Sequence, residues 1–287
     1  MNYRHSFHAG NFADLFKHAA LLRALAAVQA DRAPLLIVDT HAGAGRYRLS
    51  AEALIAGEAR AVARVLADPG APEVFAPLVR ATRPDGEGLI YPGSPLLAAG
   101  RLRTDDRLIA CELRPDDRAE LQDALRSYRH NAEARLEDGY EVLPRVLRSW
   151  PGPALVLIDP PFERGDDYAR TALTVAAALR AKPRAHILVW TPYKDPETFD
   201  ALLRDLEGRV AAAPGLAAVL RLRPPVDPLR LNGCALLALN PPNGLEPALQ
   251  AAGEWIAANL GERGGGVRVH HLATAKTGGA KGPARAL

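Results

Sequence analysis

The sequence predicts an α/β fold built on a mostly parallel sheet, and two observations carry that reading. Apolar strand-like runs recur along the chain with helical patterns between them, an alternation that means βαβ units. One of those runs, in the stretch "ALVLIDPPFE" from Ala154 to Glu163, is apolar throughout instead of alternating, as expected of a strand buried on both faces at the centre of a parallel sheet. A chain of 287 residues can bury a full core, and 48% apolar with 24% charged residues excludes a disordered chain.

Taken in order, the strands are "LLIVD" (Leu35 to Asp39), "RLIACE" (Arg107 to Glu112), a weaker "EARLED" (Glu133 to Asp138), "ALVLID" (Ala154 to Asp159) and "AHILVW" (Ala185 to Trp190). Helices such as "DDRAELQDALRSY", opened by Pro115 at its first turn, and "GYEVLPRVLRSW" lie between them. Late in the chain "LAAVLRLR" and "NGCALLALN" follow each other across a loop and read as an antiparallel hairpin that closes the sheet, for seven strands in all. The Ala-rich stretch from about 50 to 87 reads as a small helical insertion within a single domain spanning 1–262. Beyond it, 263–287 reads as a basic, Gly-rich tail: Arg263, Arg268, Lys276, Lys281 and Arg285 occur there with no acid. Such a tail is either solvated or in contact with RNA.

No apolar run approaches the roughly 20 residues of a membrane span, and "MNYRHSFHAGNF" has no apolar signal core, so a cytoplasmic protein is expected. Cys111 and Cys234 lie in apolar strand runs and read as buried free thiols. His5 and His8 lack the Cys, His or Glu company of a metal site, and no metal is expected. The net charge of +3 is too small to require a polyanionic partner by itself.

The chemistry lies at the strand ends. Pro160 cannot donate to a ladder and turns Asp159 away from helical dihedrals, so strand pairing stops and the backbone carbonyls that follow need partners. Asp159 is then either a cap for the next helix or part of a ligand site, since open α/β sheets bind ligands outside the carboxyl ends of their strands. In "VDTHAGAGRY", Val38 to Tyr47, Gly43 and Gly45 would let a ligand approach the backbone, although the third glycine of a dinucleotide fingerprint is missing. Glu112 ends the second strand, where an acid can accept bonds from both hydroxyls of a ribose, or is simply solvated. Asp138-Gly139 ends the third.

This constellation resembles the Rossmann-like class I S-adenosylmethionine methyltransferases, and "DPPF" matches the Asp/Asn-Pro-Pro-aromatic motif of those that methylate amino nitrogens. With "YRHSFHAGNFADLFKH", "DTHAGAGRY", "YPGSP", "CEL" and "DG" in order, the chain up to about Asn240 resembles the RlmJ family, which methylates N6 of an adenine in 23S, large-subunit ribosomal RNA. The resemblance implies S-adenosylmethionine as cofactor, with Lys17, His41, Ser94, Glu112, Asp138, Gly139 and Asp159 at cofactor-contacting positions and Asp159 at the catalytic one. It implies that the N-terminal segment folds over the cofactor, with Tyr3 and His5 near the target base, and that Pro160 and Phe162 face the RNA, Phe162 standing where many relatives carry Tyr. The expected partner is large-subunit RNA free of protein.

On that reading the odd strand end has a purpose. Asp159 Oδ and the Pro160 carbonyl accept the two N–H bonds of an adenine amino group and favour a pyramidal nitrogen, while Phe162 stacks on the base. "WTPYK", Trp190 to Lys194, is a second candidate wall for the base, or a rim with a snorkelling lysine. Competing readings are a Rossmann dehydrogenase, which gives no reason for Asp-Pro-Pro-Phe, an amino-nitrogen methyltransferase of another RNA, DNA or protein glutamine, and a non-catalytic RNA-binding module.

Overall fold

The computed structural model describes residues 9–55, 57–210, 213–224 and 231–272. Among these, α1 (Phe12–Val28) leads into β1 (Leu36–Asp39), and an insertion follows: β2 (Arg46–Leu49), α2 (Ala51–Ile55), α3 (Arg60–Ala67), α4 (Ala76–Ala81), β3 (Arg83–Asp85) and β4 (Gly88–Pro92). The chain continues through α5 (Ser94–Ala99), β5 (Arg107–Cys111), α6 (Pro115–Ala124), β6 (Ala132–Arg135), α7 (Gly139–Ser149), β7 (Ala154–Ile158), α8 (Asp167–Ala181) and β8 (His186–Pro192). It ends with α9 (Pro196–Val210), β9 (Gly215–Arg221), β10 (Gly233–Leu239), α10 (Leu245–Leu260) and β11 (Gly266–His271).

The main sheet has the order β11-β9-β10-β8-β7-β1-β5-β6. Strands β6, β5, β1, β7 and β8 run parallel, and β10, β9 and β11 add antiparallel pairs at one side. Alternate side chains of β7 explain its unbroken apolar run. Leu155 and Leu157 enter the core layer shared with α1, α5, α10 and the insertion, whereas Val156 and Ile158 enter the layer under α7, α8 and α9. Strand order reverses at β1, whose neighbours are β5 on one side and β7 on the other, so a crevice opens at the carboxyl ends of β1 and β7.

The sheet holds eight strands where seven were expected. The eighth, β11, pairs antiparallel with β9 and occupies six residues of the segment read as a tail. Glycine content misled there: Gly264, at φ +88°, makes the turn into the strand, and Val267 packs so closely on helix α10 that only glycine fits at position 253. Arg268 is therefore a strand residue, while Lys276, Lys281 and Arg285 lie outside the described residues.

The insertion is not purely helical. Strands β2, β4 and β3 form a small antiparallel sheet in which Tyr47 and Leu49 point inward and Arg46 and Arg48 outward, an alternation already present in "RYRL". It is fastened to the body by the edge-on contact of Phe75 with Trp255, by the Trp255 indole N–H donating to Asp68 at 2.7 Å, and by Val62 N donating to the Gly10 carbonyl. Cys111 and Cys234 are buried free thiols. Among the described residues no helix is long and apolar enough to cross a membrane.

Candidate active site

A cavity of about 460 Å³ opens at the carboxyl ends of β1, β5, β6 and β7, within the size range of small-molecule sites. Lys17, His41, Ser94, Glu112, Asp138, Gly139 and Asp159 all line it, so residues far apart in the chain converge on one space. Pro160 lines it too; Phe162 does not. Tyr3 and His5 lie outside the described residues.

Glu112 follows β5 and is held from two sides, Oε2 accepting the Gly43 N–H at 3.0 Å and Oε1 the Arg114 N–H at 2.7 Å. Burial pushes its carboxyl above the usual glutamate range, and the two backbone N–H groups only partly offset this. Asp138 ends the segment after β6 and caps α7 through the Tyr140 N–H at 2.9 Å. Its other oxygen accepts from Arg170 at 2.6 Å. Gly139 touches the Thr40 backbone so closely that a side chain there would strike the Thr40 carbonyl, which brings the β1 loop against the start of α7.

His41 packs its ring edge-on to Tyr140 at 4.8 Å. Burial lowers its pKa to about 4, so the ring is neutral near pH 7. Thr40 donates its hydroxyl to the Leu157 carbonyl at 3.1 Å, so the 2.8 Å contact between Thr40 Oγ1 and His41 Nδ1 needs the proton on Nδ1, leaving Nε2 as an acceptor. Asp39, at the end of β1, is also buried: desolvation raises its pKa to about 6 against bonds from the Ser94 side chain and the His41 N–H.

Asp159 does not cap a helix, for α8 begins only at Asp167. Its Oδ2 meets Lys17 Nζ at 2.6 Å, and Lys17 meets Asp14 Oδ1 at 2.8 Å. Burial works against the Lys17 ammonium, but the two carboxylates outweigh it and hold its pKa well above the usual lysine value. Beyond Pro160 the backbone takes a left-handed turn at Phe162, φ +51°, that tucks the ring in at 4% exposure against Tyr168 (4.6 Å) and Trp190 (6.3 Å). The apolar surface left facing the cavity comes from Pro160, Pro161, Trp190, Pro192 and Leu231, with Lys194 at the rim.

Several lining residues escaped the sequence reading, among them Asp14, His18, Thr40 and Arg170. Asp14 carried a usable signal, since it stands three residues before Lys17 on a helix. Arg170 carried none: it reaches the site only because α8 packs beside α7.

The residues fit S-adenosylmethionine. Glu112 and Asp138 can accept from ribose hydroxyls or an adenine amino group, and Gly43 and Gly139 line the same space. A switch-point crevice with an acid at successive strand ends, on a sheet parallel in its larger part, defines a class I methyltransferase. The comparisons agree: the chain belongs to the family described as "Ribosomal RNA large subunit methyltransferase D, RlmJ", which matches residues 32–273. Among its relatives, Ribosomal RNA large subunit methyltransferase J of Escherichia coli (strain K12) is 31% identical over 277 residues, covering 93% of this chain and 96% of that protein. The protein of the same name from Haemophilus influenzae is 30% identical over 276 residues, with 93% and 96% covered. A crystal structure of protein LPL1258 from Legionella pneumophila superposes with a TM-score of 0.82 at 26% identity, over 94% of this chain and 99% of that one. The chain is thus an S-adenosylmethionine-dependent rRNA methyltransferase.

Proposed function

We propose that the chain methylates N6 of one adenine in 23S, large-subunit ribosomal RNA, with Asp159 as the catalytic residue. The observation that carries this reading is the Asp159–Pro160 corner at the end of β7, facing the cavity with Asp159 Oδ2 held by Lys17. When bound, S-adenosylmethionine supplies a methyl group activated by a positively charged sulfur. The acceptor is the difficult partner, because an adenine amino lone pair is delocalised into the ring. Asp159 Oδ1 and the Pro160 carbonyl accept its two N–H bonds and favour a pyramidal nitrogen with its lone pair directed out of the ring plane. Positioning of this kind supplies several kcal/mol of a barrier, of order 7 at the low end for well-oriented groups.

Glu112 grips the cofactor ribose, Asp138 and Gly139 the adenine, and Lys17, His41 and Ser94 complete the cofactor contacts. For the target base the stacking surface is Trp190 with Pro160, and Phe162 supports Trp190 from behind, because Phe162 is buried while Trp190 lines the cavity. Tyr3 and His5 are assigned to the RNA on the motif resemblance.

The base must leave its stack to enter, which costs a few kcal/mol and least for an unpaired nucleotide. Protein-free large-subunit RNA is therefore the expected substrate and assembled subunits poor ones. The test is methyl incorporation into naked RNA, into intact subunits and into a glutamine-bearing peptide, followed by nucleoside analysis. N6-methyladenine at one position of naked RNA is expected; label in cytosine or guanine, in the peptide, or confined to assembled particles would overturn the assignment.

A further inference from the structure

One buried charge cluster reaches beyond the positioning of the cofactor. Lys17 Nζ stands between Asp14 Oδ1 at 2.8 Å and Asp159 Oδ2 at 2.6 Å, with the three side chains 5%, 3% and 15% exposed. Taking such charges out of water is costly, so the arrangement persists only where geometry and further hydrogen bonds offset the desolvation. Asp14 and Lys17 lie one turn apart on α1, whereas Asp159 arrives from the far end of β7.

Asp14 is itself held tightly. Its Oδ2 accepts the Gly10 N–H at 2.9 Å, and its own N–H donates to Asn11 Oδ1 at 3.0 Å, which pins the carboxylate to the first turn of α1. Lysine lacks such rigidity, because its ammonium is a point charge on a flexible four-carbon stem with rotatable donors. An ammonium with Asp159 as its single partner could pair with either carboxylate oxygen. An ammonium tethered to α1 as well approaches from one side.

We propose that Asp14 is a positioning residue for methyl transfer: it anchors the Lys17 ammonium so that Lys17 occupies Oδ2 of Asp159 and leaves Oδ1 for the N–H of the acceptor amino group. The proposal rests on the reading of Asp159 as the group that accepts that N–H. Asp14 also serves the start of α1, and the test must separate the two roles. Asp14→Asn does so, since an amide oxygen still accepts the Gly10 N–H while the ion pair with Lys17 is lost.

The experiment measures kcat and KM on large-subunit RNA, cofactor Kd by calorimetry and thermal unfolding for the full chain and for Asp14→Asn, Asp14→Glu and Asp159→Ala. Asp14→Asn is expected to lower kcat at saturating substrates by roughly ten- to a hundredfold, the scale of a small misplacement in a catalytic site, with cofactor Kd within about threefold of the parent. Asp14→Glu, which keeps the charge, is expected to recover part of the lost kcat. If Asp14→Asn loses its fold, Asp14→Gln, whose longer neutral amide still offers an oxygen to Gly10, carries the same expectation; loss of fold in both would make the role structural and overturn the proposal. Unchanged kcat in Asp14→Asn beside an inactive Asp159→Ala would overturn the Asp14 assignment alone. Near-parental turnover in Asp159→Ala would remove the reading beneath it.

Discussion

Arg170 and Asp138 meet at 2.6 Å, guanidinium to carboxylate, although one projects from α8 and the other caps α7. The guanidinium carbon also lies 4.5 Å from the centre of the Tyr140 ring, and Tyr140 N donates to the other oxygen of Asp138. The carboxylate is thus set by two partners, one of them a charge-assisted bond, which is roughly twice as strong as a neutral one. Arg170→Met is expected to weaken cofactor binding by about 1–2 kcal/mol and to leave the KM for RNA unaltered. Calorimetry with S-adenosylmethionine checks it, and unchanged affinity would show that Asp138 needs no second anchor.

Asp159→Ala removes the proposed acceptor at the β7 corner while Asp14 still neutralises Lys17. Methyl transfer should fall by roughly 100-fold or more, as when a preorganised hydrogen-bond partner is lost from an enclosed site. A labelled-methyl assay on RNA measures it, with circular dichroism to show that the fold survives.

Glu112→Ala should weaken cofactor binding by about 1.5–3 kcal/mol, the range for hydrogen bonds to a charged group, while RNA affinity is maintained. The loss has two parts, a missing ribose acceptor and a loosened glycine turn, because Glu112 also takes the Gly43 N–H. Arg114 loses its N–H acceptor in the same variant. Titration of cofactor and of RNA in parallel separates the effects.

Trp190 and Phe162 should respond differently although their rings adjoin. Trp190→Ala removes surface from the cavity and should raise the RNA KM by the equivalent of about 1–3 kcal/mol of base stacking, with little change in cofactor Kd. Phe162→Ala deletes a buried ring and should instead destabilise the fold by about 3 kcal/mol. Urea unfolding beside steady-state kinetics distinguishes a stacking surface from its support.

Asp39 makes stability depend on pH. Burial raises its folded-state pKa to about 6 from an ordinary 3.8, so the native protein binds its proton more tightly than the unfolded chain does between those values. Stability from this group is therefore present at low pH and is lost as pH rises through about 6. Asp39→Asn abolishes the loss: between about pH 5 and pH 8 the unfolding free energy of the variant should gain on the parent by roughly 1.4 kcal/mol, one pKa unit. Urea titrations of both proteins without cofactor at the two pH values give the difference directly, and a pH-independent difference would contradict it.

What the sequence by itself determined is local. Unbroken apolar runs announced the buried strands, alternation with helical segments announced a parallel sheet, and a proline pair after Asp159 marked where strand pairing must stop. Residues at strand ends were legible as a site because a parallel sheet brings all its carboxyl ends to one edge, so Glu112, Asp138 and Asp159 had to become neighbours once the strands were assigned. Where periodicity was weak or composition ambiguous, the reading failed. The glycines before Gly266 hid an eighth strand that pairs with β9 from 45 to 55 residues away, and the short strand at Arg83–Asp85 read as part of a helical insertion. Only the tertiary structure decided which ring faces the cavity. Phe162 and Trp190 were both candidates by type, and the left-handed backbone at Phe162 turns that ring into the core while Trp190 remains at the wall. The ion pairs of Lys17 and Arg170 were likewise decided there, because a side chain's partner across 142 or 32 residues depends on how helices pack on the sheet, and no local pattern encodes that distance.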